Sequence, residues 1–342
     1  MAGKAGRKLN ILLSTVLLAL FVYLAFRNVN LSELADILKN TNYFYVVIAG
    51  LIGVILGSIV RVFRWRVLLE PIKPNVSFKN MISSTMVGYM VNNLIPRSGE
   101  FVRPYLLGRS ENISKAAAFG TIIIERIIDT LTFLLMFGVC LIFFKRKISN
   151  AFPEIDFAVI VLTAIIFFLL LAIIFMIVKP EMSLKVFKFL MRVLPEKIEL
   201  KVEKIFESLV NSFSILKRPD LWLMIALYSA ILWIVYVSST YIAFYSFGIM
   251  VDGTSIRDGF WNANLLLVLI NVAMFIPVPA ATGPYHYVCK VTLTSIFAIS
   301  EATALGYATA THLINFLIFL IIGLYYFITS HYRISEIKEE TI

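Results

Sequence analysis

Six ionisable side chains in two short segments are the first candidates for function. One segment follows Pro96 in the stretch NNLIPRSGEFVRPYLLGR, and the other, GTIIIERIIDTL, lies within the apolar run 117–144. The six residues are Arg97, Glu100, Arg103, Glu125, Arg126 and Asp129. A charge near the centre of a bilayer costs at least ~2.5–3.5 kcal/mol, so such groups normally pair with each other or face water.

The six charges sum to zero, which is what a closed network of salt bridges requires. Glu125 and Asp129 are four residues apart and therefore project from one face of a helix. Arg126 points about 100° away from Glu125. We predict that Glu125 or Asp129 lies within salt-bridge reach of Arg97 or Arg103.

Two interpretations of this network stay open. It could pin two broken helices together and do nothing else, or it could also handle a charged headgroup. We favour the second, because small residues would pin helices without any cost of desolvation. The forked guanidinium of arginine also binds phosphate oxygens in pairs.

A second break, FIPVPAATGPYHYVCK, interrupts the apolar region 259–300. Proline removes a backbone donor and clashes with the preceding turn, and irregular backbone at membrane depth is tolerated only against protein or a wet cavity. Gly283 and His286 in this segment complete the set of candidate substrate-binding residues. A structural and a functional role for His286 stay equally open. His312, in the middle of a later span, is expected to bond a neighbouring helix.

The elements that must position these residues are membrane helices. The chain has 342 residues, of which 60% are hydrophobic and only 15% charged. Apolar runs reach the ~20 residues needed to cross a bilayer core of roughly 30 Å. The clear spans are 9–26, 43–63, 117–144, 157–178, 221–248 and 303–329. We predict an all-α polytopic membrane protein of about six to eight transmembrane helices, with two Pro/Gly-broken elements that are re-entrant or discontinuous.

Lysine and arginine set the predicted orientation. Residues 61–115 and 179–218 each hold nine basic residues, which places these loops and both termini in the cytoplasm. The same rule explains the net charge of +10 without nucleic acid. A single integral membrane domain is expected, with halves at 9–178 and 221–330. Between them, 181–219 has the pattern of amphipathic helices on the inner leaflet, acting as a spacer or as a lipid sensor.

Signatures of catalysis and of cofactors are missing from the sequence. It contains no Gly-rich phosphate loop, HExxH, GxSxG or paired-cysteine site. Cys140 and Cys289 lie in apolar segments and are expected to be small buried hydrophobes. No enzyme activity, cofactor or metal is predicted.

Four motifs together resemble a known family. They are RVFRWRVLL, NNLIPRSGEFVRPYLL, IIIERIIDTL and PVPAATG. In them the sequence is similar to the flippase-like membrane region of lysylphosphatidylglycerol synthases, over about residues 9–330. The family usually has Pro-Gly-Gly-x-Gly and then an acidic residue three positions later. Here Ala280 and Ala281 replace two glycines and His286 takes the acidic position. The resemblance implies lipid translocation, with a phosphate-bearing or neutral headgroup fitting His286 better than a cationic one.

Two functions from different classes follow. The first is a flippase or transporter that moves a polar-headgroup lipid or a lipid-linked precursor across the cytoplasmic membrane. The alternative is a membrane-embedded scaffold for a lipid-modifying or glycosyltransferase enzyme. The predicted partners are membrane lipids with an anionic or lipid-linked headgroup, while a partner enzyme and a homo-oligomer stay open. The two broken elements are expected to meet near the bilayer midplane.

Overall fold

The computed structural model describes residues 4–151, 178–191, 218–249 and 255–330, with isolated positions between 157 and 176. Every regular element in the described residues is helical. In chain order the α-helices are α1 (Lys4–Phe26), α2 (Leu31–Asn40), α3 (Tyr43–Leu69), α4 (Phe78–Leu94), α5 (Gly99–Ser110), α6 (Lys115–Ala151), α7 (Pro180–Met191), α8 (Pro219–Phe244), α9 (Ile256–Ala273), α10 (Pro284–Phe297) and α11 (Glu301–Thr329).

Four of these helices are long and apolar enough to cross a membrane, namely α3, α6, α8 and α11. The pair α1 and α2 adds one further span if its 85° bend lies within a single crossing. The prediction of a helical, multi-pass membrane protein is therefore confirmed. The expected span over 157–178 lies largely outside the described residues, as does the amphipathic segment beyond Met191.

The helix interruption predicted at Pro96 is present. α4 ends at Leu94 and α5 begins at Gly99, and Arg97 between them has a left-handed φ of 61°. The two helices fold back onto each other so closely that a Cβ at Gly99 would lie 2.3 Å from the carbonyl oxygen of Gly88. A Cβ at Gly88 would in turn lie 3.0 Å from Cβ of Arg103. Two glycines thus let α5 bring Arg103 against α4.

The second interruption separates α9 from α10. It contains Ala280 and Ala281, with left-handed φ angles of 50° and 56°, and ends at Gly283, whose φ is 93°. Left-handed backbone favours glycine, since a Cβ there crowds the following carbonyl. The two alanines therefore adopt a backbone conformation that favours glycine, the residue usual at these two positions in the family that the sequence resembles. Nε2 of His312, on α11, lies 2.8 Å from the carbonyl oxygen of Ala280 and holds this segment to the next helix.

Both interruptions come together. The guanidinium of Arg97 donates a hydrogen bond of 2.9 Å to the carbonyl oxygen of Phe275 at the start of the second interruption. α11 packs against α4, where a Cβ at Gly323 would lie 2.4 Å from Cβ of Met90. The two helix interruptions are thus in contact, and they form one wall of the candidate site.

Candidate functional site

Two carboxylates on α6 form the centre of the site. Glu125 and Asp129 project from one face of the helix, as their spacing of four residues predicts. Both accept hydrogen bonds from Nη1 of Arg61, each at 2.7 Å. Arg64, one turn further along α3, donates to Oδ1 of Asp129 and to the hydroxyl of Ser229. The side chains of Glu125 and Arg64 are 0% and 1% exposed. This dense pairing is what allows charges to stay buried between apolar helices.

Arg103 ties α5 into the same centre. Its Nη1 donates to Oε1 of Glu125 at 3.0 Å, which confirms the predicted salt bridge between the two segments. The guanidinium carbon lies 3.8 Å from the ring centroid of Trp65, a cation–π contact. The indole N–H of Trp65 donates to the hydroxyl of Thr121 on α6. Arg103 is therefore held in position from two sides.

Arg126 is the outward-facing arginine of the site. Its Nη2 lies 3.3 Å from Oε1 of Glu125 and 3.1 Å from Oδ2 of Asp129, while its Nη1 lies 3.9 Å from Oε1 of Glu100. The side chain of Arg126 is 41% exposed and that of Glu100 is 45% exposed. The group can consequently meet a ligand without leaving its carboxylate partners.

We call this assembly the arginine–carboxylate cluster. Its members are Arg61, Arg64, Arg103, Arg126, Glu100, Glu125 and Asp129.

The prediction of a neutral sextet is wrong in two respects. Arg97 does not join the cluster, because it sits at the left-handed turn and reaches the carbonyl of Phe275 instead. The sequence places Arg61 and Arg64 in the basic cytoplasmic flank, yet both are buried in the cluster. Their spacing of three residues puts both on the face of α3 that carries Trp65, and this spacing is the sequence signal for a shared site.

The cluster carries surplus positive charge. Four guanidinium groups face three carboxylates, and one of those carboxylates, Glu100, lies at the exposed edge. Among the described residues, each of the four arginines also has at least one buried N–H that meets no protein acceptor. Surplus positive charge beside a cavity, which Arg61 and Arg126 line, favours the binding of an anion.

Two adjoining cavities open beside the cluster, and we call them together the polar groove. The first, of about 430 Å³, is lined by Arg61, Arg126, Tyr236 and His312 among others. The second, of about 570 Å³, is lined by both interruptions and includes Arg97 and Glu100. Residues common to both cavities are Asn93, Arg126, Asn271, Met274 and Ala280. Arg126 therefore lies where the two cavities meet.

Gly283 and His286, the candidate residues in the second half of the chain, have structural roles. His286 is 7% exposed, and its Nδ1 accepts a hydrogen bond of 3.4 Å from the backbone N–H of Gly283, so it caps its own helix. Gly283 lies where a Cβ would come 2.9 Å from Cβ of Phe21 on α1, which makes it a packing position. Neither residue is among those that line the two cavities. His312, expected to bond a neighbouring helix, does so and also lines the first cavity.

Metal ligation has no support in the part of the chain that the structure describes. No group of three or more His, Cys, Asp or Glu side chains is arranged there to hold an ion. Cys140 and Cys289 are both fully buried, as expected.

Comparisons with known proteins agree with the motifs. Residues 11–323 match the family described as the lysylphosphatidylglycerol synthase TM region. A UPF0104 membrane protein of Methanocaldococcus jannaschii is 27% identical over 306 residues, covering 81% of this chain and 89% of the relative. A UPF0104 membrane protein of Methanothermobacter thermautotrophicus is 24% identical over 250 residues, covering 68% of this chain and 72% of the relative. No solved structure matches significantly.

Proposed function

Because the chain belongs to the family of lysylphosphatidylglycerol synthase TM regions, we propose that it moves a polar-headgroup lipid or a lipid-linked precursor across the cytoplasmic membrane. The family and the two relatives are described only as membrane proteins or membrane regions. The site itself supports translocation. No bond is made or broken in the proposed reaction, so the protein is not an enzyme in this proposal.

One observation carries the proposal, namely a polar groove beside a positively charged cluster within an otherwise apolar body. The outer surfaces of the long helices carry exposed apolar side chains, such as Ile142, Leu223 and Ile321, which are 79%, 77% and 65% exposed. Such a surface suits lipid tails. The groove offers charged and hydrogen-bonding groups to a headgroup, whose desolvation would otherwise oppose its crossing of the bilayer.

The arrangement in the membrane is part of the proposal. We assign six to eight crossings, with the pairs α4–α5 and α9–α10 as interrupted elements whose breaks meet near the midplane. Interrupted helices in two halves of a chain are the usual surroundings of transporter sites. The basic residues outside the cluster support a cytoplasmic location for both termini. Since both native cysteines are buried, a cysteine introduced at Ala2 or Thr341 should react with an impermeant maleimide only from the cytoplasmic side.

Obstruction of the groove tests translocation. Asn93 lines both cavities, so Asn93→Cys labelled with a bulky maleimide should block protein-dependent movement of a fluorescent phospholipid in proteoliposomes. The matched control is Asn40→Cys, at an exposed position outside both cavities. Equal rates for the two labelled variants would refute a route through the groove.

The scaffold alternative makes a different prediction. If the protein only supports a lipid-modifying or glycosyltransferase enzyme, the reconstituted chain moves no lipid, although the purified protein remains folded. Substitutions on its outer surface, rather than in the groove, would then remove the partner's activity in cells. Protein-dependent lipid movement by the purified chain excludes this alternative as the sole function.

A further inference from the structure

We infer that the groove recognises a two-part anionic headgroup, consisting of a phosphate beside Arg126 and Arg61 and a neutral hydroxylated group, such as a polyol or a sugar, in the first cavity. The inference deepens the proposed function and rests on it in one respect, namely that the ligand is a membrane lipid. It names the headgroup chemistry, which the family assignment leaves undefined.

The phosphate position follows from charge and access. Arg126 borders both cavities and is the most exposed arginine of the arginine–carboxylate cluster, while Arg61 lines the first cavity with a side chain only 9% exposed. A phosphate that joins the two guanidinium groups would neutralise the surplus positive charge of the cluster. A lipid phosphate beside a buried guanidinium is attracted more strongly than it would be in water, because the low-dielectric surroundings screen the two charges less.

The neutral part follows from the lining of the first cavity. Amide and hydroxyl side chains line part of this cavity beside a larger apolar surface, and six of them are Tyr89, Asn93, Tyr236, Thr240, Asn271 and Asn315. Oδ1 of Asn315 is buried and accepts no hydrogen bond from the described residues. Hydroxyl groups both donate and accept, so a polyol satisfies such a lining where an alkyl group would not. The volume of about 430 Å³ is within the range of pockets that hold small ligands.

A cationic headgroup fits the same cavity poorly. Of the lining residues described for the first cavity, none is acidic, and two are arginines. Asp129 and Glu100 line the second cavity instead, and both already face arginine. An ammonium placed in the first cavity would therefore meet like charge without a carboxylate of its own.

Competitive lipid binding tests the inference. The detergent-purified full chain is offered an equimolar mixture of four lipids, and bound lipid is quantified by native mass spectrometry. Phosphatidylinositol presents a phosphate and a polyol, phosphatidic acid only the phosphate, phosphatidylcholine a phosphate with an ammonium, and a glycosyl diacylglycerol only the sugar. We expect phosphatidylinositol to be enriched about tenfold or more over the glycosyl diacylglycerol, which lacks the phosphate and so loses one charge-assisted hydrogen bond. We also expect it to be enriched over phosphatidylcholine, whose ammonium meets like charge in the first cavity.

Variants separate the two parts of the headgroup site. Arg126→Gln should weaken binding of both phosphatidylinositol and phosphatidic acid about tenfold, whereas Arg66→Gln, at an exposed position of α3, should not. Asn315→Ala, or Asn93→Ala should the first fail to fold, should remove the preference for phosphatidylinositol over phosphatidic acid and leave phosphatidic acid unchanged. Binding of the four lipids in equal amounts overturns the inference.

Translocation of fluorescent analogues, measured in the same preparations, keeps the two proposals distinguishable. Lipid movement without preference for phosphatidylinositol contradicts the headgroup inference and leaves the proposed function standing. Selective binding of phosphatidylinositol without lipid movement contradicts the proposed function and leaves the headgroup inference standing. If soluble inositol 1-phosphate displaces the lipid at equal concentration, the ligand is a soluble phosphate ester and the lipid part of the inference fails.

Discussion

Replacement of Glu125 by glutamine should destabilise the protein more than any other single charge change in the site. The side chain is fully buried, and its Oε1 lies 2.7 Å from Arg61, 3.0 Å from Arg103 and 3.3 Å from Arg126. Glutamine has the same shape, so it leaves no cavity. It removes the charge and leaves Asp129, whose side chain is 23% exposed, as the only carboxylate besides Glu100 opposite the four arginines of the cluster.

The expected magnitude follows from the burial of these partners. Removing one member of a buried ion pair costs about 3–5 kcal/mol, since the remaining charge is left without compensation. The assay is reversible unfolding of the purified protein in mixed micelles by titration with sodium dodecyl sulfate, followed by circular dichroism. The matched control is Glu100→Gln, whose partner distance is 3.9 Å and whose side chain is 45% exposed. That change should cost less than about 1 kcal/mol.

A double-mutant cycle connects the loss to the pairing itself. Arg103→Gln added to Glu125→Gln should cost clearly less than the sum of the two single changes, because the second substitution removes a charge that the first left unpaired. Additive free energies of unfolding would mean that the two groups do not interact. A loss below about 1 kcal/mol for Glu125→Gln would refute the reasoning on the cluster.

Three further predictions concern the surroundings of the site. Gly99→Ala should cost about 1–3 kcal/mol of unfolding free energy, because its Cβ would lie 2.3 Å from a carbonyl oxygen of α4, whereas Gly138→Ala, with open space around it, should be neutral or slightly stabilising. Ala280→Gly should stabilise by about 1 kcal/mol, since it relieves a left-handed φ of 50°, and the same unfolding titration measures it. At Glu111, burial alone would raise the pKa, but hydrogen bonds from Lys73 and its neighbours lower it more, so the pKa lies below its ordinary value. The ionised carboxylate of Glu111 therefore stabilises the folded protein fully at neutral pH, and this stabilisation is lost as the pH falls through the lowered pKa. Glu111→Gln should cost on the order of 1–3 kcal/mol of unfolding free energy near pH 7 and progressively less in acid.

Much of the fold can be predicted from the sequence because the signals are strong and local. Apolar runs define the long helices α3, α6, α8 and α11, and proline with glycine marks both interruptions. The pairing of Arg103 with Glu125 is predictable as well, since a buried charge requires a partner. Those conclusions depend on composition and spacing within short segments.

The composition of the site could not be predicted in full, because it depends on how distant helices pack. Arg61 and Arg64 belong to a basic run that also suits a cytoplasmic flank, and only the contact of α3 with α6 turns them inward. Arg97 has the positive charge expected of a cluster member, but its left-handed backbone conformation directs the side chain to the second interruption. His286 is close in sequence to that interruption, yet it caps its helix, while His312 reaches the cavity from α11.

The most direct test of the central claim is the initial rate of lipid movement in proteoliposomes that contain the parent protein, Arg126→Gln or Arg66→Gln. A short-chain fluorescent phospholipid in the inner leaflet becomes accessible to membrane-impermeant dithionite as it crosses. We expect movement above protein-free vesicles for the parent and for Arg66→Gln, and a rate about tenfold lower for Arg126→Gln, because one charge-assisted contact to the headgroup is lost. Parent vesicles no faster than protein-free ones, or an unchanged rate for folded Arg126→Gln, would contradict a headgroup route through the groove.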